Sequence, residues 1–344
     1  MKKYINIILL TIITAIMISG CGNVKKNQEL STSKQGFFLN TFIDLKIFGT
    51  DDIEILNESF DTISKLEKIL SVHLKDSEIQ KINSNAGIEP VKVSEDTMYL
   101  MEKSMEYAND TGGLFDVTIY PLVDLWDITN NPHIPVEKDI LAEKEKVDYK
   151  KIIIDKENMT IFLKDKDMKL DLGGIAKGYI GDLVLKELKS KGIEKGILNL
   201  GGNVILIGEK SDKKPWKIGI QDPNGDTGAY LGTLEISDKS IVTSGIYERY
   251  FEEDGKRYHH ILNPYTGYPE DNELAGISII SNNSTDGDAL STSVFLLGLE
   301  KGIEYVNSKD GIEAIFITKD KEVYITDSLK NLFTLENEDY TIIN

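Results

Sequence analysis

The sequence predicts an α+β domain with mixed sheets and flanking helices, and three observations lead there. Short alternating runs outnumber helical ones, the helical stretches interrupt them at irregular intervals, and no regular βαβ alternation appears. Beyond Gly36 there is no second composition break, long linker or repeat, so one domain is expected.

Taken in order, Leu39, Thr41, Ile43, Leu45 and Ile47 alternate with polar or exposed partners and predict a strand. Ile53, Leu56, Phe60, Ile63, Leu66 and Leu70 recur at helical spacing and predict a long amphipathic helix. Ser94 suits the N-cap of a helix running to about Asn109, stopped by Thr111-Gly112-Gly113. Residues 151–154 and 160–163 flank a polar turn and predict a hairpin. A helix from about Lys177 to Gly192 follows, then short strands at 197–200, 204–207, 216–220, 231–236, 241–243 and 258–262. A helix over 286–298 and a strand pair at 314–318 and 322–326 close the domain.

The chain has 344 residues, 40% of them hydrophobic, enough for a sizeable core. Its formal charge of −18, from 57 acidic against 39 basic side chains, repels polyanions and argues against a nucleic-acid partner. A small anionic ligand would need a local cation, either a metal ion or a placed Lys.

The N-terminus differs from the rest. Lys2 and Lys3 precede an apolar run and then Ile18-Ser19-Gly20-Cys21. An apolar run this short reads as a secretory signal rather than a membrane span. Ile-Ser-Gly-Cys resembles a lipobox, so residues 1–20 are expected to be a lipoprotein signal peptide and Cys21 a lipidated N-terminus. Residues 21–36 are expected to tether it to a domain over 37–335, on the extracytoplasmic face of the cell membrane. Cys21 is the single cysteine, which excludes internal disulfides, thiol catalysis and Cys-ligated metal.

Four segments could carry chemistry. In Asp171-Leu172-Gly173-Gly174-Ile175-Ala176-Lys177-Gly178, a strand pattern enters paired glycines and then a helix, which offers N–H groups and a cation to a phosphate. The same glycines would also serve a plain strand-to-helix turn. Asp288 and Thr292 are four apart on a predicted helix, a pair of hard oxygen ligands of the sort Mg²⁺ accepts, or simply a helix-start Asp beside a buried Thr. His259 and His260 are adjacent on a strand and face opposite sides, so they cannot be a ligand pair. Leu114-Phe115-Asp116, after Gly112-Gly113, could embrace a flat ring or be a helix end followed by a core Phe. H-E-x-x-H, G-x-S-x-G and G-x-G-x-x-G are all absent.

Together these segments resemble the ApbE family of FAD:protein FMN transferases. The matching order is Thr111-Gly-Gly-x-Phe-Asp116, Asp171-Leu-Gly-Gly-Ile-Ala-Lys-Gly178, Asn199-Leu-Gly-Gly-Asn203, Thr243-Ser-Gly-x-Tyr247-x-Arg249, His260-x-x-Asn-Pro-x-Thr-Gly267 and Asp288-Ala-Leu-x-Thr292. The resemblance implies a single T-fold-related catalytic domain with FAD as substrate. It also implies a Mg²⁺ ion held by the Gly174 carbonyl, Asp288 and Thr292. FAD contacts are implied at Leu114, Phe115, Asp116, Asp171, Lys177, His260 and Ile261. Two more fall where this chain departs from the family: Leu39 in Leu39-Asn40-Thr41, where Met-Gly-Thr is usual, and His73, where a Tyr is usual. Asn263-Pro264 replaces the usual Asp-Pro. The activity implied is transfer of FMN from FAD to a Thr or Ser hydroxyl of an acceptor protein with release of AMP, and Asp288 or His260 takes the proton. The alternatives are an FAD pyrophosphatase and a non-catalytic flavin-binding lipoprotein.

Overall fold

The computed structural model describes residues 29–226 and 228–343. The expected signal peptide and Cys21 lie outside them. No described helix is long and apolar enough to cross a membrane.

Nine strands form the main sheet in chain order: β1 (Ser31–Phe38), β2 (Thr41–Phe48), β3 (Gly196–Leu200), β4 (Asn203–Ile207), β5 (Ser240–Gly245), β6 (Leu274–Ser281), β7 (Glu313–Thr318), β8 (Glu322–Ile325) and β9 (Thr341–Ile342). Neighbours are antiparallel except β8 and β9, which run parallel. The remaining strands are named by their residues. Four helices matter to the site and are inserted between strands of this sheet: α1 (Glu54–Leu70), α2 (Glu95–Asp110), α3 (Ala176–Ser190) and α4 (Ser284–Leu297).

The sheet is buried on both faces. Leu56, Phe60, Ile63, Leu66 and Leu70 of α1 share one core with Ile43, Leu45 and Ile47 of β2 and with Ile205, Ile277 and Ile279. Each such side chain contributes roughly 1.5–3 kcal/mol on leaving water. The alternate residues Leu206, Ile241, Ile280, Ile315 and Ile317 face a second core, closed by Trp216, Leu231, Leu234 and Phe333. Those last residues belong to a three-stranded antiparallel sheet of Phe333–Leu335, Tyr230–Ile236 and Trp216–Gln221. The α+β class with several sheets and flanking helices is thus observed.

Two boundaries differ from expectation. Residues 31–36, read as tether, belong to β1, whose register with β2 runs unbroken from Ser31↔Phe48 to Phe38↔Thr41. β1 is an edge strand with mostly partial burial, so its hydrophobic signal is weak; Thr32 and the stem of Lys34, whose Nζ lies 4.8 Å over the Phe60 ring, do the packing. At the other end, Thr341–Ile342 extends the sheet beyond residue 335.

The Ser94 cap is formed: its hydroxyl accepts the Thr97 N–H at 3.3 Å, and Glu78 accepts both the Ser94 and Thr97 hydroxyls, at 2.9 and 2.6 Å. Between β1 and β2, Leu39 and Asn40 both adopt left-handed backbone, with φ of 54° and 58°. That is the signature of a two-residue primed hairpin turn, which suits Asn but costs a Leu about 1–2 kcal/mol. Glu67 of α1 accepts the Leu39 N–H at 2.7 Å and holds the turn in place.

Candidate active site

The glycine loop is spliced to a neighbouring loop before it enters α3. Asp171 donates its N–H to the Val117 carbonyl at 2.8 Å, and its Oδ1 accepts the Gly173 N–H at 2.8 Å. This brings the Leu114–Val117 segment beside Gly174, where a Cβ on the glycine would lie 3.3 Å from the Phe115 ring and 3.7 Å from Thr292 Oγ1.

Helices α3 and α4 approach at Gly178. A Cβ there would stand 2.1 Å from the Ser284 carbonyl oxygen and 2.8 Å from Asp288 Cβ, so only glycine permits the crossing. Asp182 of α3 fixes the start of α4 by accepting the Ser284 and Thr285 N–H groups, at 2.7 and 2.8 Å. The approach places Asp288, 3% exposed, over the first turn of α3. Its Oδ2 accepts the Gly178 N–H at 2.8 Å, and its Oδ1 receives the Lys177 ammonium at 3.1 Å. Lys177 also donates to the Gly173 carbonyl at 3.2 Å. The carboxylate thus faces the N-terminal end of a helix and a cation. From the other side, Ser244 at the end of β5 donates to Ser291 at 2.9 Å, and Ser291 donates to the Asp288 carbonyl at 2.9 Å.

Gly174, Lys177, Asp288 and Thr292 therefore come together as the sequence reading expects. A carbonyl, one carboxylate and one hydroxyl are hard oxygen donors that suit Mg²⁺, and the carboxylate already draws a cation in this structure. Among the described residues no three His, Cys, Asp or Glu side chains converge to hold a metal ion.

The remaining expected residues divide. Leu114 is half-buried and Asp171 keeps partial exposure at the loop. Phe115 and Ile261 are 5% and 4% exposed and serve mainly as core. Both Asp116 oxygens are committed: Oδ1 accepts from the Thr118 N–H and hydroxyl at 2.8 and 2.6 Å, and Oδ2 from the Tyr149 N–H at 2.9 Å. Burial pushes this carboxyl up against those hydrogen bonds. Its side chain thus ties the loop to Tyr149. Leu39 sits in the hairpin turn, whose Thr41 packs on Gly201 of the β3–β4 turn. His73 is exposed, its ring 6.4 Å from that of Tyr120, an aromatic that sequence reasoning did not select. Burial, with Asp124 and Asp171 nearby, pushes the Tyr120 phenol up to about 12. His73 thus joins the Asp171 side of the site through Tyr120.

Of the adjacent histidines only His259 lies in a strand, Lys256–His259, and His260 follows it at a bend, so the expected shared strand is not found. His259 Nδ1 accepts the Ile261 N–H at 3.3 Å, so Nε2 carries the proton and donates to the Glu270 carbonyl at 2.9 Å. His260 is half-buried, and its Nδ1 is buried without a hydrogen-bond partner. Such an orphan costs about 1–3 kcal/mol, and sites that keep one commonly use it. Burial holds His259 down to about 4; burial and then the Arg249 charge hold His260 down to about 3. Each ring is neutral in the fold down to those values while the unfolded chain protonates below about 6.5, so both subtract stability as pH falls through that window. Their ring NMR signals are expected not to titrate between pH 8 and pH 5; a protonation step of either within that range would contradict this burial.

Glu248, unread within Tyr247-x-Arg249, also belongs here. It is exposed to solvent. Lys177, Arg249 and Asp288 are its charged neighbours. No spacing rule marks such a residue, because its neighbours come from α3, α4 and a turn after β5. The departure at Asn263 has a local cause: its Oδ1 accepts the Tyr265 N–H at 2.8 Å while its amide donates to Glu270 at 2.6 Å, a donor role that a carboxylate cannot fill.

The model of the ApbE family matches residues 39–316. The chain belongs to the ApbE family. Among its relatives, an FAD:protein FMN transferase of Klebsiella pneumoniae (strain 342) is 39% identical over 301 residues, 87% of this chain and 93% of that protein. One from Treponema pallidum (strain Nichols) is 31% identical over 324 residues, 89% of each chain. Among solved structures, the ApbE protein of Thermotoga maritima superposes with a TM-score of 0.82 at 30% identity, covering 88% of this chain and 99% of its own. The flavin transferase ApbE of Vibrio cholerae gives 0.80 at 27% identity over the same shares.

Proposed function

We propose that this chain is an FAD:protein FMN transferase that moves FMN from FAD to a Thr or Ser hydroxyl of an acceptor protein and releases AMP. The observation that carries the reading is the convergence of Lys177, Asp288, Thr292 and the Gly173-Gly174 loop from two helices and a loop far apart in sequence. Family membership supports it.

Phosphoryl transfer asks for positioning and charge neutralisation more than for covalent help from the protein. Lys177 and the main-chain N–H groups at the start of α3 supply positive potential for an FAD diphosphate in a strongly acidic protein. Gly174, Asp288 and Thr292 would hold a Mg²⁺ ion, which supplies further neutralisation of developing phosphate charge when bound. His260, Tyr120 and His73 offer flat faces for the rings. The neutral His260 has its basic form available, and an arriving dianionic diphosphate raises its proton affinity, so it can take the hydroxyl proton.

AMP release from FAD and Mg²⁺ is expected to depend on an added acceptor domain. Free FMN appearing equally with and without acceptor would favour the pyrophosphatase instead. We also propose lipid anchoring through Cys21. Cys21→Ala is expected to move the protein from the membrane fraction to the soluble extracytoplasmic one, and its retention in membranes would refute the anchor.

A further inference from the structure

We propose that the Lys177 ammonium is the resident cation of the site before substrate arrives, and that it yields Asp288 to a divalent cation when an FAD diphosphate draws it away, so that the two ligands bind cooperatively. This rests on the transferase reading and concerns how its site is filled.

Of the donor set Gly174, Asp288 and Thr292, only Asp288 is a carboxylate. Asp288 has one oxygen on the Gly178 N–H at 2.8 Å and the other on Lys177 at 3.1 Å. Lys177 also reaches the Gly173 carbonyl at 3.2 Å. The ammonium therefore bridges the glycine loop and α4, the same two elements that Gly174, Asp288 and Thr292 offer to a metal. A divalent cation on Oδ1 would meet a positive charge on the same atom, and the two repel. The lysine side chain is 20% exposed and has a flexible four-carbon stem, so it can leave Asp288 without backbone movement. Arg249 adds positive charge around Glu248 and His260, whereas Glu248 partly offsets it. A diphosphate gives the displaced ammonium a new anionic partner, which removes the competitor of the metal. By linkage, whatever FAD does for the cation, the cation does equally for FAD.

The test reads Mn²⁺ binding by electron paramagnetic resonance on FAD-free protein, then again with a methylene-bridged FAD analogue that binds without being cleaved. Lys177→Met is expected to bind Mn²⁺ about tenfold more tightly than the unmodified protein in the absence of analogue. Lys177→Gln should show the same gain, and Lys177→Arg, which keeps the charge, should not. In the unmodified protein the analogue is expected to tighten Mn²⁺ by about tenfold, and in Lys177→Met by much less. If the unmodified protein binds both ligands cooperatively while neither neutral variant gains Mn²⁺ affinity, the role of Lys177 is overturned and the transferase reading stands. If no Mn²⁺ binds even with the analogue, both fall.

Discussion

Asp288→Asn is expected to lower AMP release by about 10²–10³-fold, the size of effect seen when one preorganised charge-stabilising group is removed from a reaction that builds charge on oxygen. The asparagine retains the shape and can still accept the Gly178 N–H, but it gives neither Lys177 nor a metal a full negative charge. Alanine would be the harsher choice, because Asp288 is buried and its loss leaves the Lys177 ammonium and the Gly178 N–H unpaired. FAD binding should weaken and remain measurable, since the loop N–H groups are untouched. The readout is AMP by chromatography alongside flavin fluorescence; turnover within a few-fold of the unmodified enzyme would remove Asp288 from the chemistry.

Gly178→Ala is expected to damage both stability and activity. The added Cβ would collide with the Ser284 carbonyl at 2.1 Å, and neither backbone can retreat without opening the α3–α4 crossing. Overpacking of this kind costs about 1–3 kcal/mol. The same separation carries Asp288 away from Lys177, so FMN transfer should fall by far more than the folded fraction does. Urea unfolding measured beside the transfer rate separates the two effects. An alanine variant with normal stability and normal transfer would show that the helices do not need this contact.

Much of this was legible in the sequence because its signals are local. The 3.6-residue period of α1, the Ser94 cap, the strand-to-helix junction at Gly173-Gly174 and the one-turn spacing of Asp288 and Thr292 all depend on residues close in the chain. The rest depended on tertiary context. β6 is buried at all eight positions and so lacks the alternation that identifies a one-sided strand, while β1 lies at an edge where burial is too shallow to leave a pattern. At the site, the Asp116 carboxylate accepts from Thr118 and from Tyr149, and the second of these lies 33 residues away. Glu67, Tyr120 and Glu248 went unselected for the same reason: each matters through partners supplied by another element.

The most direct test of the transferase chemistry is the intact mass of an acceptor domain after incubation with this protein, FAD and Mg²⁺. A gain of one FMN residue on a Thr or Ser, matched by an equal amount of AMP and abolished by a chelator, is the expected result. An unmodified acceptor in a mixture where FAD has been split to FMN and AMP, or an adduct formed equally well with the chelator present, would contradict it.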